Sequence, residues 1–242
     1  MKYIIEFSKT GTICYTSHLD IMKVFKRSFK RAGISIAYSQ GFNPHPKMGF
    51  AQPLSLGYWG LEEYVEFETA AADAASEPFA ADEMLQRLAA IMPEGLTLKR
   101  IIEATWLRKT LAAENTAAEY MIQIPDVTGR AAELDGAAIY EDFMDQEEIL
   151  VLKKQKKKPE PVLIDIKSKI RSLQFRKETD PAAKGQTLHI DCILDAGSES
   201  NLSPELLIEA IVKRFDIETP RCDMDIARKR LYFKEETEQK IR

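Results

Sequence analysis

The chain has 242 residues, 45% of them hydrophobic and 30% charged, with 34 basic and 38 acidic residues for a net charge of −4. Length and balance describe one large domain or two small ones with a real core, and they exclude a disordered tail, a fibre or a disulfide scaffold. No run approaches the ~18 apolar residues of a membrane span, and Glu6 interrupts what would be the apolar core of an export signal. The three cysteines, Cys14, Cys192 and Cys222, are scattered and odd in number, which fits a reducing compartment. The expectation is a cytoplasmic protein that does not enter a membrane.

In chain order, residues 2–8 alternate apolar and polar side chains and read as a strand. Ser17 and Asp20 then make an S-x-x-D start for a helix over 18–32, with Leu19, Met22, Phe25 and Phe29 spaced for a core face. Gly33 ends that helix. Residues 34–38 read as a short strand, 39–47 as a turn-rich loop, and 50–56 as an extended segment that Pro53 confines to an edge. A strand at 64–69, an amphipathic helix at 79–91 and a strand at 96–103 complete a βαββαβ order.

The order then recurs. Strands are expected at 119–124, 149–154, 187–194 and 224–233, with helices at 130–144 and 203–215. Ser203 and Pro204 give the last helix a well-marked start. Val162, Ile164 and Ile166 favour a further strand, followed by a short extended run through Ile170, Leu173 and Phe175. The reading is an α+β protein of two packed ferredoxin-like βαββαβ units, residues 1–104 and 117–242, joined through 105–116. A single continuous α+β domain is the rival.

Charge is unevenly spread. Between His18 and Phe50, six cations (Lys23, Lys26, Arg27, Lys30, Arg31 and Lys47) face Asp20 alone, so this window carries +5 and the rest of the chain −9. A second basic cluster lies at 153–158. The helical cations form one face opposite the apolar stripe, an arrangement suited to phosphates. His18 sits at the first turn, where backbone N–H groups favour an anion.

The loop that follows, Gln40-Gly41-Phe42-Asn43-Pro44-His45-Pro46-Lys47, mixes glycine, prolines, an aromatic ring, an amide, an imidazole and an ammonium. Its prolines hold Asn43 and His45 extended, so the loop loses little entropy when it binds a ligand or partner. His18, Tyr38, His45 and Lys47 are candidate groups for metal-independent cleavage or modification of RNA, if they converge. His189, in a strand, reads as structural. There is no nucleotide-triphosphate loop, dinucleotide fingerprint or zinc-protease motif, and the cysteines do not cluster, so no metal and no cofactor are expected.

The same loop resembles the radical SAM-linked proteins, the DUF2344 family. The resemblance runs through Ser17-His18-Leu19-Asp20, Arg31-Ala32-Gly33, Tyr38 to Lys47, Phe50 to Gly57 and Glu63-Tyr64-Val65, and on to Pro93-Glu94-Gly95-Leu96 and Ala118-Glu119-Tyr120. It is specific over residues 1–125 and diffuse beyond. It implies, as a partner, a radical SAM enzyme with a cobalamin-binding-like domain, and it supplies no settled activity. The leading expectation is an accessory RNA-binding or substrate-presenting partner of such an enzyme. The alternatives are a metal-independent RNA-cleaving or RNA-modifying enzyme using His18, His45 and Lys47, and a purely protein-binding module that docks the radical SAM enzyme.

Overall fold

The computed structural model describes residues 1–70, 79–125, 127–154, 160–179 and 185–242. The fold is α+β and sheet dominates it. The chain divides into two compact units, residues 1–116 with 230–242, and residues 117–229. The division falls at the end of the expected joining segment. Residues 230–242, which sequence grouped with the second half, pack with the first unit.

In the first unit, β1 (Lys2–Lys9) leads through a single 3-10 turn at Gly11–Tyr15 into α1 (His18–Arg31). Then follow β2 (Met48–Phe50), β3 (Trp59–Glu68), α2 (Ala81–Ala89), β4 (Leu96–Glu103) and the short α3 (Leu111–Glu114). The strand order is β4-β1-β3, all antiparallel, with β2 paired antiparallel to β3. Residues 34–38 make only isolated bridges, Ile36 to Thr69 and Tyr38 to Pro46, so the expected strand there does not form. Its place is taken by three residues of β2, because the extended stretch starts at Met48 and breaks before Pro53.

Aromatic rings fasten α1 to this sheet. Phe25 meets Phe7 at 5.1 Å and Phe50 at 5.5 Å, and Phe29 meets Phe67 at 4.6 Å. Each ring buried in this way stabilises the unit by about 1.5–3 kcal/mol. Ile21 and Ser28 complete the buried face, whereas Leu19, expected in the core, is 62% exposed. The helix is rotated so that Ile21, not Leu19, points at the sheet.

In the second unit, β5 (Asn115–Ile124, its first two residues counted with the first unit) is followed by α4 (Arg130–Glu133), α5 (Gly136–Met144), β6 (Leu150–Lys153), β7 (Val162–Asp165), β8 (Ile170–Thr179), β9 (Gln186–Asp195), α6 (Pro204–Phe215) and β10 (Asp225–Phe233, its residues from 230 on counted with the first unit). The order is β10-β5-β9-β8, with β5–β9 and β8–β9 antiparallel. Residues 149–154 were expected in the main sheet; instead β6 pairs only with β7, as a two-stranded hairpin of its own. The ten-residue β8 occupies the sheet position in its stead.

The chain's last segment ends with α7 (Glu235–Ile241), within the first unit. There Lys234 N–H donates to the Glu114 carbonyl (2.9 Å), Phe233 meets Tyr64 edge-on (5.4 Å), and Arg242 pairs with Glu62 (2.7 Å). All three cysteines are free thiols, and burial pushes the Cys192 thiol up to about 12. No described helix is long and apolar enough to cross a membrane.

Candidate functional site

Local chemistry places α1. The Asp20 amide donates to Ser17 Oγ (3.2 Å) while Ser17 Oγ donates to the Asp20 carboxylate (2.7 Å), which closes the expected capping arrangement. The hydrogen bond from Lys23, then that from Ser17, holds the Asp20 carboxyl below the usual carboxylate range. At the other end the Ile34 amide reaches the Phe29 carbonyl (3.0 Å) and the Gly33 amide the Lys30 carbonyl (3.3 Å). Gly33 has φ +73°, so this is a glycine-closed helix end. It turns the chain back past the helix's own basic residues.

Five cations project from α1, and all are exposed. Lys23 is taken by Asp20 at 2.8 Å. Lys26, Arg27, Lys30 and Arg31 make no salt bridge with a carboxylate among the described residues, although the Arg27 charge helps to lower the Asp20 carboxyl. Lys47, grouped with them by sequence, is paired with Glu68 at 2.7 Å, its cross-strand neighbour. It is therefore a fastener of the loop's base. The second basic cluster lies mostly outside the described residues; of it, only Lys153 and Lys154 are described.

The loop 38–47 is closed on itself. The Lys47 amide donates to the Ala37 carbonyl (2.7 Å), the Ser39 amide to the His45 carbonyl (2.8 Å), and the His45 amide to Ser39 Oγ (3.0 Å). Further down, the Ala37 amide donates to the Glu68 carbonyl (2.8 Å), which ties the stem to β3. At the tip Gly41 has φ +135°, a conformation that side-chain-bearing residues rarely adopt. Gln40, Gly41, Phe42, Asn43, Pro44 and His45 are all exposed, and the Phe42 ring is fully so.

Helix and loop meet around a cavity of about 330 Å³ lined by Lys26, Lys30, Phe29, Ile34, Tyr38 and Pro46, among others. Tyr38, more than half exposed, forms one wall. Two groups that the sequence offered together, the helical cations and the loop, are thus brought to one place.

His18 is elsewhere. Its ring stands edge-on to Phe50 (5.0 Å) and lines a cavity of about 10 Å³, the smallest space that holds one water. Lys9, Glu63 and Gln52 line the same cavity. Lys9 and Glu63 are each only 2% exposed, and Lys9 Nζ donates to the Cys14 (3.0 Å) and Thr16 (2.9 Å) carbonyls that lead into α1. Sequence reasoning missed this buried polar cluster. A lysine at the end of a strand gives no sign of burial. His45 is an exposed loop residue, and the Lys47 ammonium is held by Glu68, whereas His18 stands against Phe50. Among the described residues, no group of three or more His, Cys, Asp or Glu is placed to hold a metal ion.

One solved structure shares the fold more than the sequence. A chain of a Cbf5-Nop10-Gar1 complex aligns over 97% of this chain at 12% identity with a TM-score of 0.51, and this chain spans about half (51%) of that one's length. That likeness concerns the fold alone. A protein described as unknown from Galdieria sulphuraria aligns over 94% of this chain and 97% of its own at 10% identity, with a TM-score of 0.22. A comparison with curated proteins gave no match. The model of the uncharacterized proteins conserved in bacteria called DUF2344 matches residues 2–204, and the chain that carries this basic helix and closed loop belongs to that family.

Proposed function

We propose that this protein is an accessory RNA-binding or substrate-presenting partner of a radical SAM enzyme, and that the exposed face of α1 holds the RNA phosphates. The observation that carries the reading is the set Lys26, Arg27, Lys30 and Arg31, four exposed cations on one helix that make no salt bridge among the described residues, with Arg27 only weakly influenced by Asp20. Lys26 with Lys30 and Arg27 with Arg31 are like-charge pairs one helical turn apart, which repel each other, and phosphates relieve that repulsion. The radical SAM partner rests on the resemblance of the loop region. Exposed apolar residues around the start of α1 (Tyr15, Leu19, Leu56 and Trp59) are consistent with a protein docking there.

We read each unit as ferredoxin-like. The support is a shared order, β4-β1-β3-β2 in one and β10-β5-β9-β8 in the other, each built as strand, helix, two strands, helix, strand. On this reading β6 and β7 are an insertion into the second unit.

The test is RNA retention on a filter against salt concentration, with the parent and a variant in which Lys26, Arg27, Lys30 and Arg31 are all alanine. The variant should bind at least about tenfold more weakly in low salt, and its log–log salt slope should fall by about 2–3, near 0.7 per lost phosphate contact. Equal affinity and slope would sink the phosphate assignment.

A further inference from the structure

Deepening the RNA reading, on which it rests, we propose that the cavity between the C-terminal half of α1 and the closed loop accepts one unpaired nucleotide, its base against Tyr38 and its phosphate between Lys26 and Lys30, with Phe42 as the platform for the next base.

Chemistry of the walls carries this inference. The cavity's volume, about 330 Å³, lies at the low end of the range for small-ligand sites. Its floor is apolar, from Phe29, Ile34 and Ile36, one wall is the Tyr38 ring, and its only charged lining residues are Lys26 and Lys30. A flat apolar body with an anion at one end matches that lining, and a nucleotide is such a body. Neither lysine has a carboxylate partner among the described residues, so a phosphate meets no competitor there.

Phe42 supplies the independent observation. A fully exposed phenylalanine loses hydrophobic stabilisation unless something covers it. It stands on a loop braced at Ala37–Lys47 and at Ser39–His45, so little order remains to be gained when a ring stacks on it. Stacking aromatics beside a basic groove are how proteins hold unpaired strands, because every base has a π-face. In a duplex those faces are already stacked on one another, so this site discriminates against paired RNA.

Fluorescence anisotropy with a labelled 12-nucleotide unstructured RNA and a 12-base-pair duplex, using the full chain, tests the proposal. The single strand should bind at least tenfold more tightly than the duplex. Phe42→Ala and Tyr38→Ala should each weaken single-strand binding by about 5- to 100-fold, the span of one lost stacking contact, and leave duplex binding unchanged. Tyr38→Phe, which keeps the ring, should bind as the parent does. Circular dichroism confirms that Phe42→Ala is folded. Equal affinity for strand and duplex, with no effect of Phe42→Ala, would overturn the nucleotide pocket and leave the basic-face reading standing. Failure of the parent to bind either RNA overturns both.

Discussion

In the first unit the helix that follows the opening strand, α1, carries five cations and one carboxylate; its counterpart in the second unit, α5, carries Glu141 and Asp142 and no cation. The second unit's arginines are spent internally. Arg214 and Arg130 both reach Asp142, Arg171 reaches Asp195, Arg176 reaches Asp191, and Arg221 reaches Glu205. The first unit does the same with Lys2 on Glu66 and Lys47 on Glu68, and then leaves four cations of α1 without a salt bridge among the described residues. Two regions with one strand order therefore differ in where their positive charge points, and the proposed phosphate face is the place where they differ most.

That contrast can be broken in three ways. The largest effect should come from Lys9→Ala, which strips a buried ammonium from the Cys14 and Thr16 carbonyls; the Cys14 carbonyl keeps the Gly57 amide (2.9 Å), whereas the Thr16 carbonyl loses its charged donor. We expect a loss of about 2–3 kcal/mol, read as a lower urea midpoint at constant slope. A change under about 0.5 kcal/mol would mean that the buried cation does not hold the start of α1.

Asp142→Ala should cost the second unit about 1 kcal/mol, since its two arginine partners are partly exposed. Desolvation alone would raise the Asp142 carboxyl, but hydrogen bonds from Arg214 and Arg130 outweigh it and hold the group below its ordinary 3.8. A carboxyl lowered in the folded state stabilises it above the unfolded value and stops doing so as pH falls through the folded one. The stability gap between parent and Asp142→Ala should therefore be full at pH 6 and close as pH drops below about 4. A gap that persists at pH 2 would assign the effect to packing. The smallest effect should be that of Lys26→Ala with Lys30→Ala, within about 0.5 kcal/mol of the parent in urea. A larger loss would mean that these lysines serve the fold, and the contrast between the units would disappear.

Local chemistry was legible in advance and long-range pairing was not. Ser17 with Asp20, Gly33 at positive φ, and Ser203 before α6 with Pro204 as its first residue stand where the sequence placed them, because caps and helix ends are decided by neighbours in the chain. The basic face and the closed loop were also readable, though not their meeting around one cavity. The pairing of Lys47 with Glu68 was not legible, since that partner lies 21 residues away and is found only through the β2–β3 register. Leu19 was misjudged because periodicity fixes the spacing of a helical stripe but leaves the rotation about the axis to packing against Phe7, Phe50 and Phe67. Residues 149–154 alternate as a sheet strand does, and nothing local says which sheet; β8 won the place by its length of ten residues against four.

One consequence concerns time. Residues 230–242 belong to the first unit, yet the ribosome delivers them only after every residue of the second. At ~5–20 residues per second, a nascent first unit waits roughly ten seconds for Phe233 to reach Tyr64 and for Arg242 to reach Glu62. A message broken within the second half thus leaves both halves unfinished, and the intact N-terminal sequence cannot rescue its own unit.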